Sequence, residues 1–256
     1  MTQGGVSMSM INVNYRNLST GYKINSAADN AAGLAISEKI QTQKNGYDIG
    51  AENAKMGKSV LNVADGALST MYDSLSRIRE LGVKASNSAL YSKDELSMMQ
   101  DEIDQLKMGI MDVAKNTQFN GLKLLDGSMA TMELATNPQG VGHEMEMANV
   151  TLENLGIADF DVTKKFDLDD IDSALKMVSK AQGSIGAQSN RLDYTIANNQ
   201  YASYNLENAF SSLRDTNMAE EMSELQKNQI LEQIHLEMQK KRMEEEEQKR
   251  RIIQVN

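Results

Sequence analysis

Cysteine is absent from this sequence, which excludes a disulfide framework and a thiolate metal site. The absence also suits a protein exported unfolded, which never needs oxidative folding. Tryptophan is missing as well, and aromatic residues make up only 5% of the chain. A single proline, Pro138, interrupts its 256 residues. Proline inside a helix costs about 3 kcal/mol, so such a chain suits long uninterrupted helices. No apolar run reaches the ~18 residues of a membrane span, and no signal-peptide core is visible, which argues against membrane spanning and ordinary Sec secretion. Net positive charge is lacking too. With a formal net charge of −10, the chain is a poor match for nucleic acid, whose phosphates need grouped Lys and Arg.

Methionine is plentiful, with 18 residues, which favours adaptable helix seams over a rigid aromatic core. The clearest pattern runs from Leu61 to Ala85. Leu61, Ala64, Leu68, Met71, Leu75, Ile78, Gly82 and Ala85 alternate steps of three and four without a slip. That is one narrow apolar stripe, which needs partner helices to bury it. A second stripe, Leu96, Met99, Ile103, Leu106, Ile110 and Val113, follows a turn at 90–93, so its helix is expected to pack antiparallel on the first. A third runs in heptads through Ile171, Val178, Ile185, Leu192, Asn199, Leu206 and Leu213, with mostly small residues three positions on. Asn199 in that seam is a register-fixing residue, or marks a bend or an exposed position.

Between the second and third stripes the character changes. Asn120-Gly121 and Asp126-Gly127 are tight-turn dipeptides, and 132–135 and 144–152 are expected as short strands. Near the N-terminus, residues 1–9 are expected to fray, helical spacing begins at Ile11, and Asn25 or Ser26 is expected to cap the helix carrying Ala31 to Ile40. Past Asn217, Met218, Met222, Leu225, Ile230, Leu231 and Ile234 continue an apolar line. From Lys240 to Arg251, ten of twelve residues are charged. Glu245–Lys249, Glu246–Arg250 and Glu247–Arg251 are i,i+4 pairs worth about 0.2–0.5 kcal/mol each, which gives a solvated helix.

Little here carries chemistry. His143 and His235 are far apart and are expected to be ordinary surface residues. No HExxH, Gly-rich phosphate loop or Gly-x-Ser-x-Gly is present. Asp167–Asp172 lacks the glycine and terminal Glu of a calcium loop and is expected to begin a helix. Asn17-Leu-Ser and Asn149-Val-Thr match the glycosylation sequon, a pattern common by chance. No catalytic residue, cofactor or metal site is expected.

Five stretches carry a resemblance. Leu18–Ile40 (LSTGYKINSAADNAAGLAISEKI), Arg77–Val83 (RIRELGV), Thr117–Leu122 (TQFNGL), Ser184–Leu192 (SIGAQSNRL) and Ala219–Leu231 resemble, in order, segments of bacterial flagellin. The resemblance implies a mainly α fold: long antiparallel helices in a coiled-coil-like rod with a small β-hairpin region in mid-chain. The expected divisions are 1–30, a partial inner-tube segment; 31–125, the N-terminal helical half of the rod; 126–170, a short β and loop region; 171–217, its C-terminal helix; and 218–256, a terminal helix with a charged tail. The stretch 125–170 is too short for large outer domains.

The resemblance implies a secreted, extracellular filament subunit that polymerises with other flagellin subunits. Its expected partners are the flagellar type III export apparatus and its flagellin chaperone, with no nucleic acid and no membrane. Arg77, Leu81 and Glu102 fall where related flagellins contact Toll-like receptor 5. Leu61, Leu68, Leu75, Ile78, Ile103, Leu106, Ile185, Leu192, Leu206 and Leu213 form the expected assembly and core stripe. Two departures bear on polymerisation. Only 17 residues precede Leu18, and the charged run after Ile234 replaces the family's Ala, Gln and Leu-rich end. Burying Glu244–Glu247 in a packed tube is very costly unless every charge is paired. Two further readings therefore stand beside the filament subunit: a non-polymerising secreted receptor ligand, and the hook–filament junction protein.

Overall fold

The computed structural model describes residues 3–87, 90–140 and 142–254, with the backbone alone for 3–7 and 251–254. In chain order the elements are α1 (Gln3–Thr20), α2 (Ala27–Ala85), α3 (Lys93–Asn116), β1 (Gln118–Phe119), β2 (Leu122–Lys123), β3 (Thr131–Ala135), β4 (Gly142–Glu146), α4 (Leu152–Leu155), α5 (Leu168–Arg214) and α6 (Met218–Gln254). The fold is mainly α with a small antiparallel β region in mid-chain, as the resemblance implies. The chain forms two compact units, a central one, Asn45–Ser203, and a terminal one, Met1–Lys44 with Tyr204–Asn256.

The central unit is built on the α2 stripe. Leu61, Ala64, Leu68, Met71, Leu75 and Ile78 are all fully buried, with Ile103, Ile110, Val178, Ile185 and Leu192 in the same apolar cluster. Each buried Leu or Ile contributes about 1.5–3 kcal/mol from removal of apolar surface from water. The seam between α2 and α5 is antiparallel and does not slip. Arg79 pairs with Asp172, Lys58 with Asp193, and the Ser203 hydroxyl donates to Asp48. The spacing between partners on α2 equals that on α5, so one register holds from end to end.

Local sequence sets the boundaries. Ser92 and Glu95 form a reciprocal capping box at the start of α3. Asp167 accepts from the Asp169 amide at 3.0 Å as α5 begins, so the acidic run starts a helix. Asn120 (φ 48°) and Gly121 (φ 80°) make the two-residue turn of the β1–β2 hairpin. In the second hairpin Thr131 pairs with Glu146 and Ala135 with Gly142. The expected strand 144–152 instead ends at Glu146. The Asn149 carboxamide accepts from the Thr151 amide and hydroxyl, a local turn that competes with strand pairing, and α4 follows.

The terminal unit differs. Helix α1 starts at Gln3 rather than Ile11, so the expected fraying of residues 1–9 is not what the backbone shows beyond the two residues outside the description. Its cap is also displaced. Asn30 is non-helical within α2 (φ −164°, ψ 96°), and its side-chain oxygen accepts from the Gly33 amide at 2.8 Å. Asn30, not Asn25 or Ser26, therefore caps the helix carrying Ala31 to Ile40. Asp29 closes the preceding turn. Burial opposes its ionisation, but donors from Ser26, Asn25 and Arg16 outweigh it and hold its carboxyl at about 2.

Helices α1 and α6 run antiparallel through a polar seam. Asn14 and Asn17 donate to Glu221 at 2.8 and 3.1 Å, and Asn228 donates to Asn14 at 3.0 Å. The α6 line read from the sequence is not this seam. Leu225 is buried, but Met218, Met222, Ile230, Leu231 and Ile234 are all exposed, because Glu221 and Asn228 occupy the α1 face. The two connections in this unit lie side by side. The Lys23 amide donates to the Arg214 carbonyl, the Thr216 amide donates to the Gly21 carbonyl, and the Arg214 guanidinium sits 4.8 Å from the Tyr22 ring centre.

Candidate functional site

Among the described residues no catalytic centre assembles. Among the described residues no group of three His, Asp or Glu side chains could hold a metal ion, and no helix is long and apolar enough to cross a membrane. Function therefore has to be sought on surfaces.

Arg77 and Glu102 meet across α2 and α3. The Arg77 guanidinium donates to Glu102 at 2.7 Å and to Glu80 at 3.1 Å, with both Arg77 and Glu102 side chains more than 40% exposed. The Glu102 carboxylate, then Glu80, raises the Arg77 pKa further above its ordinary value. Leu81 does not share this surface. It is 3% exposed and packs in the core, because it lies beside the α2 stripe. The expected trio is thus two paired surface charges above one core leucine.

The stripe residues divide in the same way. Leu61, Leu68, Leu75, Ile78, Ile103, Ile185 and Leu192 are buried inside the central unit and present nothing to another molecule. Leu106 is half-buried beside them, and Leu206 and Leu213 are half-buried in the terminal unit. The apolar residues that face outward are different ones. On α1 and α6 they include Met10 (51%), Tyr15 (52%), Ile230 (57%) and Leu236 (55%). Their signal lay in the sequence as apolar residues around Asn14 and Asn228, since two polar faces that pair push the apolar ones outward.

A third cluster fixes the β3–β4 hairpin on α5, and sequence reading missed it. His143 is half-buried, not an ordinary surface residue. Its Nδ1 accepts from Arg191 at 3.1 Å, which leaves Nε2–H to donate to the Thr195 hydroxyl at 2.7 Å. Burial first, and Arg191 second, lower its pKa. Gln188 exchanges two hydrogen bonds with the Glu146 backbone, and buried Asn199 donates to the Thr136 carbonyl at 2.7 Å. Gly50 lies beneath that contact, where a Cβ would come within 2.5 Å of the Thr136 oxygen. The cluster clamps structure and has no reactive geometry. His235 is bonded to Gln239 on the exposed face of α6.

Residues 7–130 match the bacterial flagellin N-terminal helical region, and residues 168–243 match the bacterial flagellin C-terminal helical region. Flagellin of Halalkalibacterium halodurans is 40% identical over 223 residues, covering 84% of this chain and 82% of that one. Flagellin of Bacillus subtilis is 36% identical over 258 residues, covering 86% and 85%. Among solved structures, Bacillus cereus flagellin shares the fold with a TM-score of 0.50 at 23% identity, over 58% of this chain and 86% of that one.

Proposed function

The chain belongs to the bacterial flagellin family and is a structural subunit of the flagellar filament, not an enzyme; from that premise we propose that its terminal unit is the principal polymerising surface. The reading of a non-polymerising ligand and that of a hook–filament junction protein are not favoured, since the relatives are flagellins and filament proteins. One observation carries the proposal. The α1–α6 pair keeps asparagines and a glutamate inside and leaves Met10, Tyr15, Ile230, Leu231, Ile234 and Leu236 outside. Large apolar side chains left exposed in that number support a role for this pair in interaction, with further copies of the chain as the partner.

The same proposal covers the path to the filament. The subunit is exported by the flagellar type III apparatus into the extracellular space, and a flagellin chaperone covers the outward apolar face of α6 before export. Every residue of 240–250 is exposed, which supports a charged tail lying outside the packed tube. Receptor recognition, in the manner of Toll-like receptor 5, centres on the Arg77–Glu102 pair, with Leu81 supporting it from below.

Negative-stain electron microscopy of the purified chain, seeded with short flagellin filaments, tests the filament proposal. Regular filaments are expected. Monomers alone would overturn the assignment of the terminal unit as a polymerising surface.

A further inference from the structure

Two Asn-Gly pairs stand in the sequence, Asn45-Gly46 and Asn120-Gly121, and the fold treats them differently. In such a pair the side-chain amide is open to attack by the next backbone nitrogen, because glycine has no Cβ to obstruct the approach. Asn45-Gly46 lies inside α2, where the helix fixes the backbone. Gly46 is also pressed on Pro138, and a Cβ there would come within 2.7 Å of the Pro138 Cβ. Asn120-Gly121 is the turn of the β1–β2 hairpin. Residues 120–123 are all exposed, and nothing lies within 4 Å of the place a Gly121 Cβ would take. Among the described residues neither the Asn120 carboxamide nor the Gly121 amide has a hydrogen-bond partner.

The neighbouring alternatives are closed. The Ser128 hydroxyl and amide donate to the Asp126 carboxylate of Asp126-Gly127 and hold it ionised, and a carboxylate resists attack. Asp65-Gly66 lies inside α2. Pro138 follows Asn137 and has no N–H to lose. The hairpin at Asn120 resists little. Each of its strands has 2 residues, and ring closure needs only rotation about the Asn120 Cα–C bond and release of the Phe119–Leu122 pairing. Exposed turns of this kind open at little free-energy cost.

We infer that Asn120 is a self-modification site, at which the folded chain converts its side-chain amide to a carboxylate with water as the sole co-reactant. The Gly121 nitrogen gives its proton to hydroxide and attacks Asn120 Cγ. The Cγ–Nδ2 bond breaks, ammonia leaves, and a succinimide ring closes. Water then opens either carbonyl of the ring, giving aspartate or the β-linked isoaspartate. Nothing is oxidised or reduced: amide plus water becomes acid plus ammonia. Aspartate keeps the turn and adds a negative charge to it. Isoaspartate inserts a methylene into the backbone of a two-residue turn, so Phe119 and Leu122 no longer pair, and the 3.1 Å bond from the Leu124 amide to the Thr117 carbonyl loosens. Each copy thus keeps a record of its own age, written where Phe119 and Leu124 enter the core. The inference holds whether or not copies polymerise.

The test holds the full purified chain at mildly alkaline pH, folded and in urea. Samples taken over time are treated with an isoaspartyl carboxyl methyltransferase and a labelled methyl donor, then mapped by peptide. In the folded chain, label is expected on the Asn120 peptide at a rate within about tenfold of that in urea, with ammonia released. The Asn45 peptide is expected to take label in urea and at least about a hundredfold more slowly when folded. Label at Asn120 in urea alone overturns the inference, as does equal labelling of both peptides in the folded chain. Asn120→Gly tolerates the left-handed turn and is expected to abolish the label with unchanged circular dichroism; a persisting label places the reaction elsewhere and overturns the assignment. In the modified fraction, amide exchange at Leu122 and Leu124 is expected to rise while the α2 stripe stays protected. Unchanged exchange at those two amides overturns the opening of the hairpin.

Discussion

In the central unit Leu61, Leu68, Leu75 and Ile78 reach 0% exposure, and helix partners meet through a continuous apolar cluster. In the terminal unit α1 and α6 meet through Asn14, Asn17, Glu221 and Asn228, and most of the large apolar side chains on these two helices, Leu225 excepted, are exposed. Arg16 Nε and Glu232 Oε2, the buried side-chain atoms left without a hydrogen bond among the described residues, both lie in the terminal unit. The contrast separates two tasks that one helical vocabulary can perform. A stripe buried within the chain gives a subunit that holds its own shape. A polar seam with apolar flanks gives a surface whose stability comes from neighbours.

The contrast can be broken at its strong end first. Leu75→Asp places a charge in the fully buried α2 stripe and is expected to cost upwards of ~4 kcal/mol, collapsing the central unit. Circular dichroism with unchanged helix content and melting would contradict that core. Gly50→Ala comes next, because its Cβ would press on the Thr136 carbonyl and the Asn199 amide. A loss of about 1–3 kcal/mol is expected, with faster amide exchange in the β3–β4 hairpin. The pH response should be smaller and local. The folded-state pKa of His143 is depressed below the ordinary imidazole value, so the unfolded chain binds the proton more readily. The contribution of its two hydrogen bonds is therefore complete above about pH 6.5 and lost as the pH falls through the lower folded value. Hairpin amides should be less protected, relative to their intrinsic exchange rates, at pH 5 than at pH 8, and His143→Gln should remove that difference in protection. Arg77→Ala, at an exposed pair, should change stability by at most ~1 kcal/mol. Deleting Lys240–Asn256 should leave the monomer's melting temperature nearly unmoved, since residues 240–250 are all exposed; a drop of several degrees would show that the tail docks.

The central unit was legible in the sequence because its packing is periodic. Heptads at Leu61, Leu68 and Leu75, and at Val178, Ile185 and Leu192, announce helices, and buried partners follow from spacing alone. The terminal unit was misread for the complementary reason. Apolar residues such as Ile230 and Ile234 carry the helical spacing, yet the inward positions belong to Glu221 and Asn228, whose partners lie more than two hundred residues away. The clamp on the hairpin was invisible for a similar reason. His143 gains its role from Arg191 and Thr195, and Asn199 from a backbone carbonyl, none of which any local pattern reveals. The Leu81 side chain shows what a motif leaves open. Its position matches the family segment, but its burial is decided by the stripe beside it.

The paired connections at Gly21–Lys23 and Arg214–Thr216 have a mechanical consequence. Two backbone hydrogen bonds and the Arg214–Tyr22 contact fasten the joint before α2 to the joint after α5. Neither can bend without dragging the other. Helices that begin and end the chain, more than two hundred residues apart in sequence, therefore share one pivot, and a subunit entering the filament has a single angle to set for both.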